Sequence, residues 1–132
     1  MKYLIDTNIM IYYFNGSLSV SAKEIVTAML NDDFNISVIS KMEFLGFSRF
    51  NTREKREAAT FTSFANVLSL NEAIVDRTIQ LKQAVKIKLP DAIIAATALC
   101  HNLNLVTHNV KDFAGISLSI YDPFHCGVHE IR

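Results

Sequence analysis

Glycine, proline and cysteine are all scarce in this 132-residue chain, and the scarcity narrows what it can be. With four glycines, no Gly-rich phosphate turn follows any strand-like run, which argues against a dinucleotide-binding fold. Cys100 and Cys126 are the only cysteines and supply neither a disulfide framework nor a metal-finger spacing, as expected in a reducing cytosol. No apolar stretch is long enough to span a bilayer, and Met1-Lys2-Tyr3-Leu4-Ile5-Asp6 meets an acid too soon for a signal peptide. A soluble, cytoplasmic protein without a membrane partner is expected. Excess charge is missing too: 13 Lys+Arg stand against 13 Asp+Glu, so a broad electropositive face for nonspecific duplex binding is not expected. Any nucleic-acid contact should be a local stripe. There is no repeat of fixed period and no low-complexity segment.

What the chain has is apolar content, 50% of its residues, enough for one domain that folds without staples. Tyr3-Leu4-Ile5 reads as a buried strand ended by Asp6-Thr7-Asn8, with a helical turn or two through Ile9 to Phe14. Ser21-Ala22-Lys23-Glu24 has capping-box spacing before Ile25, Val26, Met29 and Leu30. Ile36 to Ile39 is a β-branched strand. Ser40-Lys41-Met42-Glu43 repeats the capping-box spacing, opening a helix through Phe44, Leu45 and Phe47, and a charged helix follows from Thr52 to about Phe64. Val67 to Leu70 is strand-like, Asn71 suits an N-cap, and Ile74, Thr78, Leu81 and Val85 mark one face of a longer helix. Pro90 opens the next helix, to about Asn102; Leu103 to Thr107 is a strand, Lys111-Asp112-Phe113 a turn, and Leu118 to Tyr121 a last strand. Strands alternating with helices predict an α/β fold, a mostly parallel central sheet with helices on both faces, whose ligands bind beyond the carboxyl ends of the strands. Residues 123–132 are left as a C-terminal tail.

Four acids fall on that side of the pattern: Asp6, Glu43, Asp91 and Asp112. Each has a local explanation, as N-cap, capping-box partner, first-turn acid and turn residue respectively. Such contacts return only ~0.3–2 kcal/mol, whereas two unit charges ~4 Å apart repel by about 4 kcal/mol at an effective dielectric near 20. If the four converge, either some are neutral or a cation sits among them. An all-oxygen ligand set without imidazole or thiolate favours Mg²⁺ or Mn²⁺ over Zn²⁺.

The segments Leu4-Ile5-Asp6-Thr7-Asn8-Ile9, Glu43 followed by Leu45-Gly46, Leu89-Pro90-Asp91-Ala92-Ile93-Ile94-Ala95-Ala96-Thr97-Ala98, and Leu105-Val106-Thr107-His108-Asn109 leading to Asp112-Phe113 resemble the motifs of PIN-domain ribonucleases. More narrowly, they resemble the VapC-type toxins of toxin–antitoxin pairs, in order and spacing over nearly the whole chain. The resemblance implies a PIN-like domain over 1–122, with four to five strands, acting as a Mg²⁺- or Mn²⁺-dependent endoribonuclease. It places Asp6, Glu43, Asp91 and Asp112 around the metal, Asp6 and Asp91 as direct ligands, Glu43 and Asp112 through water or holding the attacking water. Asn8, Thr107 and Asn109 would orient a carboxylate or phosphate by hydrogen bonding. It also implies an RNA substrate, a small cognate antitoxin as partner, and a homodimer.

Lys82, Lys86 and Lys88 approach the Asp91 edge and are candidates for guiding an RNA backbone, Lys86 and Lys88 foremost; Arg49, Arg53, Lys55 and Arg56 read better as a solvated face beside Glu54 and Glu57. Phe44, Phe47, Phe50, Phe61 and Phe64 form an aromatic stripe expected to be core, with any exposed part a seat for the antitoxin's C-terminal segment. His125-Cys126-Gly127-Val128-His129 resembles a soft metal site but has no second ligand cluster. A catalytically degenerate PIN domain that only binds RNA or protein is the alternative, which the presence of all four acids argues against. A haloacid-dehalogenase-like phosphatase would need a second acid where Asn8 stands.

Overall fold

The computed structural model describes residues 1–124. Five short strands are all parallel and fall into two ladders. β1 (Tyr3–Ile5), β4 (Asn104–Val106) and β5 (Ile120–Tyr121) form one; β2 (Asn35–Ser37) and β3 (Asn66–Leu68) form the other. β2 lies alongside β1, where the Asn35 side-chain amide donates to the Tyr3 carbonyl at 2.9 Å instead of a continuous backbone ladder. The spatial order is therefore β3-β2-β1-β4-β5, and the order reverses at β1, the place where open parallel sheets hold their ligands.

Successive side chains of these strands serve opposite faces. Leu4 and Leu105 join the core under α5 (Glu72–Ala84) and α6 (Leu89–His101) with Ile74, Leu81 and Ile94. Ile5 and Val106 join the core on the other face with Ile36 of β2, Ile9 and Met10 of α1 (Thr7–Asn15), Val26 of α2 (Val20–Asp32), Phe44 of α3 (Val38–Leu45) and Ala58 of α4 (Thr52–Ser63). α6 is buried along nearly its whole length, which its alanines permit by letting neighbours approach closely; Asn102, at φ 56, ends it in the left-handed conformation.

Several boundaries differ from the sequence reading. The strand expected over Ile36 to Ile39 stops at Ser37, because the Ser37 hydroxyl accepts from the Ile39 N–H at 3.0 Å and caps α3 there. Ser40 is thus inside the helix, and Ser40–Glu43 is not a capping box. The first capping box shifts likewise: Ser19, not Ser21, caps α2, accepting from Ala22. A reciprocal capping box does occur at Asn51 and Glu54 of α4. In the expected aromatic stripe, Phe44 and Phe50 are core residues, Phe47 and Phe61 are half-buried, and Phe64 is 77% exposed. Cys100 lies on the exposed side of the otherwise buried α6. Among the described residues no helix is long and apolar enough to cross a membrane. Pro123 is buried, and Phe124 stacks on His108 at 3.9 Å between ring centroids. The His125-Cys126-His129 segment lies outside the described residues.

Candidate active site

The register of the central ladder assembles the first part of the site. Ile5 pairs with Val106, so the next residues, Asp6 and Thr107, leave the sheet side by side. Asp6 N–H still donates to the Val106 carbonyl at 2.9 Å, and the buried Thr107 hydroxyl donates to Asp6 Oδ2 at 2.7 Å. Asn8 Nδ2 reaches the same carboxylate oxygen at 3.0 Å, while Thr7 N–H occupies Oδ1 at 2.8 Å. The backbone N–H of His108 donates to Asn8 Oδ1 at 3.2 Å, which fixes the amide with its nitrogen toward Asp6. Thr107 Oγ1 also accepts from the Asn109 N–H at 3.1 Å. Asp6 is therefore an N-cap, as its position suggests, and also a rigidly held carboxylate at the base of a cleft.

That cleft, of about 310 Å³, is lined by Asp6, Asn8, Glu43, Asp91 and Asn109, with Phe47 and Ile11 as apolar wall. Glu43 reaches it from the second turn of α3. Thr7 Oγ1 donates to Glu43 Oε1 at 2.6 Å and lies 2.9 Å from the fully buried Ser40 hydroxyl. The single Thr7 hydroxyl proton is thus directed toward two acceptors, Glu43 Oε1 and Ser40 Oγ. The Ser40–Glu43 spacing thus serves a tertiary link, not a cap.

Asp91 stands in the first turn of α6, after Pro90. The helix dipole there favours its charged form, yet its pKa is raised, by burial first and then by Asp112 and Glu43; Lys88 opposes the shift. Burial also pushes Asp6 up to about 6, with Asp91 and Glu43 adding to the shift and the Thr107 and Thr7 hydrogen bonds opposing it. Glu43 therefore bears electrostatically on both Asp6 and Asp91, Asp91 on Asp6, and Asp112 on Asp91. Asp112 is the outermost, on the 3₁₀ turn Val110–Phe113, and lines an adjoining pocket that shares Asp91 with the cleft.

Among the described residues, no three His, Cys, Asp or Glu side chains stand close enough to enclose an ion by themselves. Mg²⁺ does not require such an enclosure, since it is commonly held by one or two carboxylates and retains several waters. The donor chemistry fits: oxygen only, with a buried carboxylate and a half-buried one whose pKa values are raised by burial first and by neighbouring negative charge second.

Of the sequence candidates, Asp6, Asn8, Glu43, Asp91 and Asn109 line the cleft, Thr107 buttresses it from below, and Lys86, Lys88 and Asp112 line the pocket beside it. Thr7 and Ser40 are additions that local pattern did not reveal, because the contacts of Thr7 with Glu43 and with Ser40 each span more than thirty residues of sequence. His108 is held by Asp122, with Nδ1 3.2 Å from the carboxylate, and by Phe124. Arg53 pairs with Glu57 four residues on, away from the cleft.

The PIN domain family profile matches residues 3–117. Ribonuclease VapC1 of Haemophilus influenzae strain R2866 is 33% identical over 126 residues, spanning 89% of this chain and 93% of that protein. Among solved structures, a toxin–antitoxin complex from Klebsiella pneumoniae is similar at 36% identity and a TM-score of 0.75, covering 92% of this chain and 98% of that one. VapBC-1 from nontypeable Haemophilus influenzae is similar at 32% identity and a TM-score of 0.76, over 93% and 98%. The two parallel sheets side by side, the acids at the β1 switch point and these likenesses together show that the chain belongs to the PIN domain family, among its VapC-type ribonucleases.

Proposed function

We propose that the chain is a Mg²⁺- or Mn²⁺-dependent endoribonuclease, the toxin of a toxin–antitoxin pair, cutting RNA phosphodiester bonds in the Asp6–Glu43–Asp91 cleft. The observation that carries this reading is electrostatic: Asp6 and Asp91 both have raised pKa values, from burial first and then from neighbouring acids on separate elements, around a cleft open to solvent. Structural stability alone gives no reason to gather them.

In this reading Asp6 and Asp91 hold the ion, which supplies Lewis-acid charge against the phosphate when bound. Asp6 is kept in place by Thr107, Asn8 and the Thr7 N–H, and those hydrogen bonds favour its ionised form. Glu43, held by Thr7 and Ser40, is placed to accept a proton from an attacking water. Asn109 lines the cleft wall, within reach of a phosphate oxygen. Phe47 and Ile11 form the apolar part of the cleft wall.

The similar solved structures are described as a toxin–antitoxin complex and as VapBC-1, which supports a small cognate antitoxin as partner. A homodimer is the expected working unit, and the cytoplasm, where RNA is found, its expected place. The test is cleavage of total cellular RNA by the purified protein with Mg²⁺ or Mn²⁺, compared with Asp91→Asn and with EDTA. Cleavage should vanish in both while circular dichroism shows the variant folded. Full cleavage in either would contradict the assignment, and metal-independent RNA binding without cleavage would favour the degenerate alternative.

A further inference from the structure

A second pocket, of about 490 Å³, adjoins the acidic cleft and has the opposite character. Lys82 from the last turn of α5, Lys86 and Lys88 from the α5–α6 loop, and Lys111 from the 3₁₀ turn converge on it. Among the described residues its only acids are Asp91, shared with the cleft, and Asp112, which leaves an excess of two positive charges. Among the described residues none of the four lysines forms an ion pair; those present are Lys2–Asp32, Arg53–Glu57 and His108–Asp122. Lys82 is already oriented, its ammonium donating to the Ile87 carbonyl at 2.6 Å with two protons left over.

Lys88 sits at the N-cap of α6 and makes no side-chain cap. A cation there opposes the helix dipole, and Ser, Asp or Asn would cap the helix better. Helix capping therefore does not account for a lysine at this point; its charge acts on Asp91, and with three further lysines beside it the pocket stays positive enough to take an anionic ligand. The chain has no net charge, so affinity for a polyanion has to come from such a local group.

We propose that the Lys82–Lys86–Lys88–Lys111 pocket binds backbone phosphates of single-stranded RNA next to the phosphate that is cut. This rests on the ribonuclease reading of the cleft and extends it. Asp91 forms a wall of both cavities, so a strand with one phosphate among the acids has its neighbours among the lysines. The lysines offset the repulsion that four carboxylates exert on the strand, and because they contact phosphates they carry no base preference.

The test measures binding of a labelled 12-nucleotide RNA of mixed sequence in EDTA, where metal-dependent cleavage is suppressed, as a function of salt. For single strands each phosphate contact adds about 0.7 to the slope of log affinity against log salt. Lys86→Ala/Lys88→Ala should make the slope shallower by about 1.4, weakening binding about tenfold near 0.2 M salt and about sixtyfold near 0.05 M. Arg53→Ala/Lys55→Ala, an equal charge change on α4, should keep the wild-type slope. A wild-type slope in the lysine variant overturns the proposal, as does failure of the wild-type protein to bind this RNA. So does lysine-dependent binding of a polyglutamate peptide with RNA binding unaffected, which would make the pocket a seat for an acidic protein segment. Cleavage with Mg²⁺ is followed in parallel. Cleavage without lysine-dependent binding removes this inference alone, whereas lysine-dependent binding without cleavage removes the catalytic reading and leaves the phosphate pocket standing.

Discussion

Acidification should stabilise the metal-free protein over a pH range where most proteins are indifferent or lose stability. Asp6 ordinarily titrates at 3.8 but is pushed up to about 6 in the folded chain, because it is buried among Asp91 and Glu43. Its folded form binds the proton more tightly than the unfolded one, so the stabilisation from protonation is fully present below 3.8 and lost as pH rises through about 6. The whole difference is about 3 kcal/mol at 1.36 kcal/mol per unit. Between about pH 7.5 and about pH 5, the linkage relation gives a gain of roughly 1.4 kcal/mol from this group. Asp91, also raised, adds in the same direction. Asp33, whose pKa is lowered by the backbone N–H groups of Lys2 and Tyr3 and by the Asn35 amide, opposes only below its ordinary 3.8, outside that window. Urea unfolding in EDTA at the two pH values measures the gain. Saturating Mg²⁺ should remove it by stabilising the ionised form at the higher pH. Asp6→Asn should flatten the metal-free profile, whatever uniform loss it suffers from facing the Asn8 amide with a donor. A metal-free stability that falls steadily from about pH 7.5 to about pH 5 would refute the reasoning, as would an unchanged profile in Asp6→Asn.

Two further outcomes follow from the hydrogen bonds. Thr107→Val removes the buried hydroxyl that donates to Asp6 and accepts from the Asn109 N–H; it should destabilise the fold by ~1–3 kcal/mol in chemical denaturation and move the acid limb of the cleavage pH profile upward. An unmoved limb would show that the Thr107 hydrogen bond does not govern the ionisation of Asp6. Thr7→Val cuts the link between Ser40 and Glu43, so kcat for RNA cleavage should fall on the order of tenfold or more with little change in RNA affinity; a purely weakened affinity would assign Glu43 to binding.

Asp6 and Asp91 were legible because local signals coincide with the structure around them. A short apolar strand ending in polar residues puts Asp6 past the sheet edge, and Pro90 marks a helix start just before Asp91. The second strand and its helix were harder, since Ile36, Val38 and Ile39 are β-branched while Ser37 caps a helix from within that run. Serines at 37 and 40 are one helical turn apart, so spacing alone admits either as the cap; tertiary packing against Thr7 decided it. The division into two ladders escaped notice because the β1–β2 seam uses the Asn35 side chain, and no periodicity encodes that. Lys82, Lys86 and Lys88 were readable as a group near Asp91, whereas Lys111 joins them only through the fold.

The central claim is that a divalent ion belongs between Asp6 and Asp91. Crystals grown with Mn²⁺ and measured at a wavelength where manganese scatters anomalously would locate it without reference to activity. A single strong anomalous peak, or a pair, in the cleft within coordination distance of both carboxylates, and lost in Asp91→Asn, is the predicted result. A saturating concentration of Mn²⁺ with no peak in that cleft, or a peak that persists there in Asp91→Asn, would contradict it.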